Sequence, residues 1–328
     1  MRRRAFTTLL GSAATAWPLA ERAQQQAVPV VGFLHASAPD NNAHLVEAFR
    51  KGLGETGFVE GRNVAIEFRW AHDDPKRYPE LAAELVRRQV AVIVTPIGTA
   101  VALAAKAATT TIPIVFSVGT DAVKAGLIES YNRPGGNITG VSAMVSELGA
   151  KRLGLLLELR PQTKSVGVLV NINNPVATET TTQDVKAAAS AIGLDIEVIN
   201  ASNPREVDEA FATMAQKRLD GLIVSPDPLY GNRRTQLAIL SARYNLPTVS
   251  PLRDFAVAGG LMSYGPDDAD RHRLVGVYAG RILKGEKPAD MPVQRPTRFQ
   301  FVINLQTARS LGITIPPTLL ARADEVIE

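Results

Sequence analysis

From position 28 onward, short apolar runs alternate with amphipathic segments of helical period. Uninterrupted aliphatic runs are what strands covered on both faces of a parallel sheet require, and the amphipathic segments supply the covering helices. The pattern predicts strands at 29–33, 63–68, 90–94, 113–116, 165–170, 195–199, 221–224 and 247–250, with helices in the gaps. The two plainest helices run over 42–53, with Leu45, Phe49 and Leu53 on one face, and over 207–217, with Val207, Phe211 and Met214 on one face.

The second half of the chain follows the script of the first. A small polar loop comes after the opening strand of each half, His35-Ala36-Ser37 in one and Asn171-Ile172-Asn173-Asn174-Pro175 in the other. Each half then has a strand ending in a hydroxyl and a proline, VIVTPIG around Thr95 and LIVSPDP around Ser225. TIPIVFSVGTD around Ser117 and NLPTVSPLRD around Ser250 come next. The intervals are 60 and 22 residues from His35 through Thr95 to Ser117, against 54 and 25 from Asn171 through Ser225 to Ser250. Two homologous α/β lobes explain this agreement better than one large sheet. The segment 134–141 (PGGNITGV) has turn residues followed by a β-prone stretch and reads as a crossover strand from the first lobe to the second. Residues 259–264 read as another extended link, followed by a helix over about 267–283. The last piece holds the strand FQFVI, a short helix and a β-prone end. Three links between two lobes result, with the C-terminal segments shared between them. The expected division is 28–138 plus about 265–297 for lobe 1, and about 142–258 plus 299–328 for lobe 2.

The first 23 residues change how charge is read. Three arginines precede sixteen uncharged residues and then a polar stretch, the plan of a cleaved export signal too short for a comfortable membrane span. The run Arg2-Arg3-Arg4-Ala5-Phe6 resembles the twin-arginine export pattern, and a general secretory signal fits the same residues. Losing Arg2, Arg3, Arg4 and Arg22 together with Glu21 lowers the formal net charge from +4 to +1. That removes the electrostatic case for nucleic-acid binding. The remaining long uncharged stretch, 89–105, is broken by Thr95-Pro96-Ile97-Gly98, so stable membrane insertion after signal removal is not expected.

Cysteine is absent, which excludes disulfides, thiolate metal sites, a thiol nucleophile and a lipidated cysteine anchor. The four histidines have no metal-ligand spacing, so neither a metal nor a cofactor is expected. No G-x-S-x-G elbow, P-loop or H-E-x-x-H occurs. The match to G-x-G-x-x-G at 52–57 ends a helix instead of following a strand, and Gly57 reads as a helix stop. His44, His72 and His272 read as surface residues, while His35 is open between ligand contact and loop polarity.

In open α/β sheets ligands collect outside the carboxyl ends of strands. Those ends carry Ser37, Thr95, Thr99, Ser117, Thr120, Asp121, Asn171, Asn173, Ser225, Asp227, Tyr230, Ser250, Arg253, Asp254 and Tyr264. Hydroxyls and helix-end N–H groups suit a carboxylate, and Asp121 or Asp227 suits an amino group. The competing reading for each is a helix cap or turn former. Tyr230 and Tyr264 are open between stacking on a ligand and filling the seam between lobes.

The chain resembles the substrate-binding proteins of ABC importers, in the group similar to the tryptophan-binding TrpX-like proteins. The resemblance runs from Val28 to Glu328 and is carried by GLGETGFVEGRNVAIEFRWA at 52–71, PGGNITGVS at 134–142, DGLIVSPD at 220–227, GGLMSYGPD at 259–267 and LGITIPPTLLARADEVIE at 311–328. It implies a type I periplasmic binding fold: α/β, two Rossmann-like lobes joined by three crossover strands, closing on a ligand at the hinge. It implies ligand-binding positions at Ser37 with Ala36, at Thr95 to Thr99 with Gly98 among them, at Thr120 and Asp121, at Asn173 and Asn174, at Asp227, and around Ser250 and Tyr264; Ser117, at a strand end, joins them as a ligand-binding candidate. Thr120, Asp121 and Asp227 match the family as identities and the others by place. The implied ligand is an aromatic amino acid or a small carboxylate, the implied partners are a membrane permease and its ATPase, and the implied location is the periplasm. A ligand-sensing module for a receptor kinase or chemoreceptor and an exported α/β enzyme are the alternatives.

Overall fold

The computed structural model describes residues 28–40 and 42–328, so the expected export signal lies outside the described residues. Among the described residues there are twelve strands: β1 (Val30–His35), β2 (Ala65–Trp70), β3 (Val92–Thr95), β4 (Ile114–Val118), β5 (Ile138–Ser142), β6 (Ser165–Val170), β7 (Asp195–Asn200), β8 (Gly221–Val224), β9 (Thr248–Ser250), β10 (Met262–Pro266), β11 (Phe299–Asn304) and β12 (Glu325–Ile327). The helices are α1 (Ala43–Glu55), α2 (Tyr78–Arg87), α3 (Thr99–Ala108), α4 (Gly149–Leu159), α5 (Pro175–Ser190), α6 (Pro204–Gln216), α7 (Pro228–Asn232), α8 (Arg234–Arg243), α9 (Arg253–Val257), α10 (Asp268–Leu283), α11 (Leu305–Ser310) and α12 (Pro317–Leu320).

Two α/β lobes form around two sheets. The first sheet has the order β2-β1-β3-β4-β5, and all its pairs are parallel. The second has the order β12-β11-β10-β9-β8-β6-β7, parallel except where β10 meets β11. The central strands are buried along almost their whole length, VIVT in β3 and GLIV in β8 included, because helices cover both faces. Each sheet thus has two apolar clusters, one per face. Phe33, Phe49 and Tyr278 mark one side of the first sheet and Leu34, Leu85 and Phe116 the other.

The chain crosses between lobes three times: after β5, after β10, and between Met291 and β11. The helix between the last two crossings, α10, packs on α1 in the first lobe. That packing is close enough to touch backbones. A β-carbon on Gly52 would stand 1.8 Å from the Arg273 carbonyl oxygen, and one on Gly276 2.2 Å from that of Phe49. The glycine motif at 52–57 therefore serves helix packing and helix termination: Gly57 has φ +90 just past the end of α1. Arg152 of α4 is fully buried and ties the first two crossings together. Its guanidinium donates to the Val145 carbonyl at 3.0 Å and to the Tyr264 carbonyl at 3.4 Å. Burial pulls its ionisation down to about 10.

His44 and His72 are exposed, but His272 is not: only 1% of its surface is accessible. The expectation of a surface residue fails because the first turn of α10 is inserted against the sheet, burying Arg271 and His272 together with Val275 and Tyr278. Polar residues near the start of a helix look solvated when only their spacing is considered.

Candidate functional site

Both sheets reverse their strand order beside their opening strand, between β1 and β3 in one lobe and between β6 and β8 in the other. At such a point the following helices leave to opposite faces, and the loops at the carboxyl ends diverge to leave a crevice. The two crevices face each other. A cavity of about 140 Å³ is walled by Asp73, Pro75 and Tyr78 after β2, and by Gly98, Thr99, Ala100 and Val101 at the start of α3. The second lobe contributes Asn171, Asn173 and Asn174 after β6, Ser202 after β7, and Asp227, Pro228 and Leu229 after β8. A space of about 50 Å³ adjoins it, sharing Gly98, Thr99, Asn174, Asp227 and Pro228 and adding Thr120, Leu252 and Arg271 among others.

Asp227 is the N-cap of α7, accepting from the Leu229 N–H at 2.9 Å. The same oxygen accepts from the Asn171 amide at 3.1 Å, and the other from the Asn174 amide at 3.0 Å. Asn171 is itself fixed, because its side-chain oxygen accepts from the Asn173 N–H at 3.0 Å. Burial pushes the Asp227 carboxyl above the usual carboxylate range and the charge of Asp73 adds to this, while the two asparagine amides and the Leu229 N–H oppose it. Capping and facing the ligand cavity are thus compatible in one side chain. No cationic side chain lines the 140 Å³ cavity among the described residues. A cationic ligand group would compensate the half-buried carboxylate there.

The adjoining space, which Asp227 also borders, adds hydrogen-bond donors. Thr99, the first residue of α3, whose leading N–H groups have no partner within the helix, lies on its wall with Thr120, and the two hydroxyls are 2.9 Å apart. Arg271 is buried beside them. Its Nη1 donates to Asp268 at 2.6 Å, and its Nε and Nη2 donate to the Ser117 hydroxyl at 3.2 and 2.8 Å. The cleft thus holds the Asp227 carboxylate at the junction of its two spaces and donors from Thr120 and Arg271 on the side of the smaller one, a set that suits a zwitterion.

The lobes touch around the cleft. Asn232 donates to the Asp73 carboxylate, and His44 Nε2 stands 3.4 Å from Asp254. Gly98 has φ +98, and a β-carbon there would lie 3.4 Å from the Pro228 ring.

Of the residues anticipated from sequence, Gly98, Thr99, Thr120, Asn171, Asn173, Asn174 and Asp227 come together on these walls. The others are placed elsewhere. Ser37 donates its N–H to His35 Nδ1, the Thr95 hydroxyl is fully buried, and Ser117 holds Arg271. Asp121 accepts from the N–H groups of Val123 and Lys124 and from the Tyr131 hydroxyl. Ser250 accepts from the Leu252 N–H, and Tyr264 stacks on Phe299 at 6.2 Å. His35 is packed 4.8 Å from Trp70, and Tyr230 donates to the Ala201 carbonyl. Neither lines the cavity.

Sequence reasoning missed Asp73, Pro75, Tyr78, Ser202 and Arg271. The first three follow the carboxyl end of β2, so the strand-end rule could have found them in WAHDDPKRY. Arg271 had no local signal, since only the second crossing brings α10 back under the first lobe.

Residues 28–327 match the family model described as ABC transporter substrate binding protein. A tyrosine-binding protein of Clostridioides difficile is 28% identical over 267 residues, 81% of this chain and 76% of the relative. The structure of an ABC domain in complex with L-Trp from Streptococcus pneumonia superposes with a TM-score of 0.83 at 27% identity, covering 92% of this chain and 100% of that one. A ligand-free, open structure of a substrate-binding protein with adhesive properties from Clostridium difficile gives 0.66 at 25% identity, covering 92% of this chain and 99% of that one. Among the described residues no helix is long and apolar enough to cross a membrane. With its two facing crevices and a family match spanning nearly every described residue, the chain belongs to the ABC transporter substrate-binding proteins.

Proposed function

We propose that this protein is the periplasmic receptor of an ABC importer, closing its two lobes on an amino acid and delivering it to a membrane permease and its ATPase. The observation that carries the reading is the half-buried Asp227 carboxylate, held by Asn171 and Asn174 at the wall of a cavity to which both lobes contribute. Its role is to receive the α-ammonium group. Thr99, Thr120, Arg271 and the first turn of α3 receive the α-carboxylate, and the apolar walls Pro75, Pro228 and Leu229 hold an aromatic side chain. Contacts from both lobes exist together only in the closed form, so binding energy drives closure. The higher TM-score against the L-tryptophan complex than against the open, ligand-free relative supports a closed arrangement of these lobes. The ligands named for the two relatives support an aromatic amino acid as the solute.

A thermal-shift screen of the mature chain, beginning near Gln24, against amino acids, aromatic acids and short branched carboxylates tests the proposal, with calorimetric titration of each hit. A ligand present at a hundred times its dissociation constant adds about 2.7 kcal/mol, a rise of several degrees. No shift with any aromatic amino acid overturns the amino-acid assignment, and chemical conversion of the bound ligand overturns the assignment as a receptor.

A further inference from the structure

We infer that Asp73 and Tyr78 select, at the far end of the ligand's side chain, a group that donates a hydrogen bond. The inference rests on the reading of Asp227 as the ammonium site, and it concerns the opposite, first-lobe wall of the same cavity.

Asp73 is carried to that wall by a turn in which His72 and Asp73 both have left-handed backbones, φ 54 and 64. The turn is strapped to the end of β1, with the N–H groups of Ala71, His72 and Asp73 donating to the carbonyls of His35, Ser37 and Ala36. One Asp73 oxygen accepts from Asn232, which leaves the other available at the cavity wall. Tyr78 stands beside it. Its side chain is 7% exposed, it lines the cavity, and its hydroxyl makes no hydrogen bond to any described residue. The ionisation of this hydroxyl is pushed up by burial and by the charges of Asp227 and Asp73, so it remains a neutral phenol facing two carboxylates.

The charge at this end is negative, and the neutral Tyr78 hydroxyl beside it can donate or accept. A carboxylate oxygen can only accept, and the Ser202 hydroxyl on the same wall already donates to Asn200. The same cavity has apolar wall from Pro75, Ala100, Val101, Pro228 and Leu229. A cavity with apolar wall and a half-buried carboxylate suits a ring carrying O–H or N–H. A ring without a donor would strip water from Asp73 and return nothing.

L-tyrosine, L-phenylalanine and O-methyl-L-tyrosine differ only at that end, and calorimetric titration of the mature chain with all three is the test. Tyrosine is expected to bind at least about tenfold more tightly than either of the others, because a charge-assisted hydrogen bond is made in one case and lost in two. In Asp73→Asn and in Tyr78→Phe the ratio of tyrosine to phenylalanine affinity is expected to fall toward one. Any general weakening of closure by these changes affects all three ligands alike and cancels in the ratio. Equal binding of tyrosine and phenylalanine, or a ratio that survives both substitutions, overturns the selector and leaves the amino-acid reading standing. Failure of all three ligands and of tryptophan to bind overturns that reading, and the selector with it.

Discussion

The carboxylate of Asp227 accepts the side-chain amide of Asn174 at 3.0 Å while remaining on the wall of the cleft. Two loops of one lobe, after β6 and after β8, thus fix the orientation of a charge before any ligand arrives. Fixing it has a cost to the empty protein. Its raised ionisation means that the folded state holds the Asp227 proton more tightly than the unfolded state does. At neutral pH the ionised group opposes folding, and that opposition disappears as pH falls below the ordinary carboxylate value.

Asp227→Asn is therefore expected to leave the empty protein at neutral pH at least as stable as the parent while removing ligand binding. The neutral amide keeps an oxygen for the Leu229 N–H and loses the charge. Loss of one member of a buried charge pair costs about 2–5 kcal/mol, a rise in Kd of about 30-fold or more. Melting curves with and without ligand check both halves. A variant that melts well below the parent without ligand would show that the carboxylate mainly stabilises the loop.

The strand pattern was legible in the chain because burial on both faces leaves an unambiguous apolar run, as in β6, which covers the expected 165–170. The second strand was expected at 63–68 and starts at Ala65 instead. Asn63 belongs to the preceding turn, where its side chain accepts from the Val59 N–H and donates to the Gly57 carbonyl. The polar strand ends were equally visible, but which of them face the cleft depends on where the strand order reverses. Asp121 follows β4, away from that point, and its Oδ1 accepts from the Val123 and Lys124 N–H groups of its own loop and from the Tyr131 hydroxyl. Asp227 follows β8, beside it, and reaches the cavity. Apolar periodicity carries no information on strand order, and so the two aspartates looked alike.

Asn232 and Asp73 join the lobes at the edge of the cleft, and the contact exists only when the lobes are together. Asn232→Ala is expected to favour opening. Asp73 regains water when the lobes part, so the loss is about 1 kcal/mol, a Kd about fivefold weaker. Most of the change should appear in the dissociation rate, since the first encounter with ligand takes place in the open form. Stopped-flow dissociation measures it. An unchanged dissociation rate would mean that Asn232 contributes nothing to closure.

The α1–α10 crossing predicts a change in stability without a change in site chemistry. Gly276→Ala places a β-carbon 2.2 Å from the Phe49 carbonyl oxygen, which belongs to backbone and cannot rotate away. Overpacking of this kind costs about 1–3 kcal/mol, a drop of about 2–4 °C in Tm per kcal/mol for lobes of this size. Thermal melting checks it, and the protein that stays folded should bind ligand as before. A Tm within one degree of the parent would show that the helices slide apart freely.

His35 and His272 predict how stability depends on pH. The Nδ1 of His35 accepts from the Ser37 N–H, so its proton is on Nε2. The Nδ1 of His272 lies 2.8 Å from the Asp268 carbonyl and must donate, leaving its own Nε2 bare. Both Nε2 atoms are buried without a partner. Burial pulls each imidazole down to about 3, reinforced at His35 by His272 and at His272 by Arg271. The unfolded chain takes up these two protons near the ordinary histidine value of about 6.5, whereas the folded protein refuses them. Unfolding is therefore proton-coupled, and stability is full above about 6.5 and falls progressively as pH drops toward 3, by about 1.4 kcal/mol per pH unit for each histidine. The double variant His35→Leu/His272→Leu is expected to lose packing and hydrogen bonds at pH 7.5 and melt lower there. Its Tm should nevertheless change less than that of the parent between pH 6 and pH 4, because the two proton-binding sites are gone. Parallel Tm curves across that interval would mean that the two rings take up protons in the folded state and are not the source of its acid sensitivity.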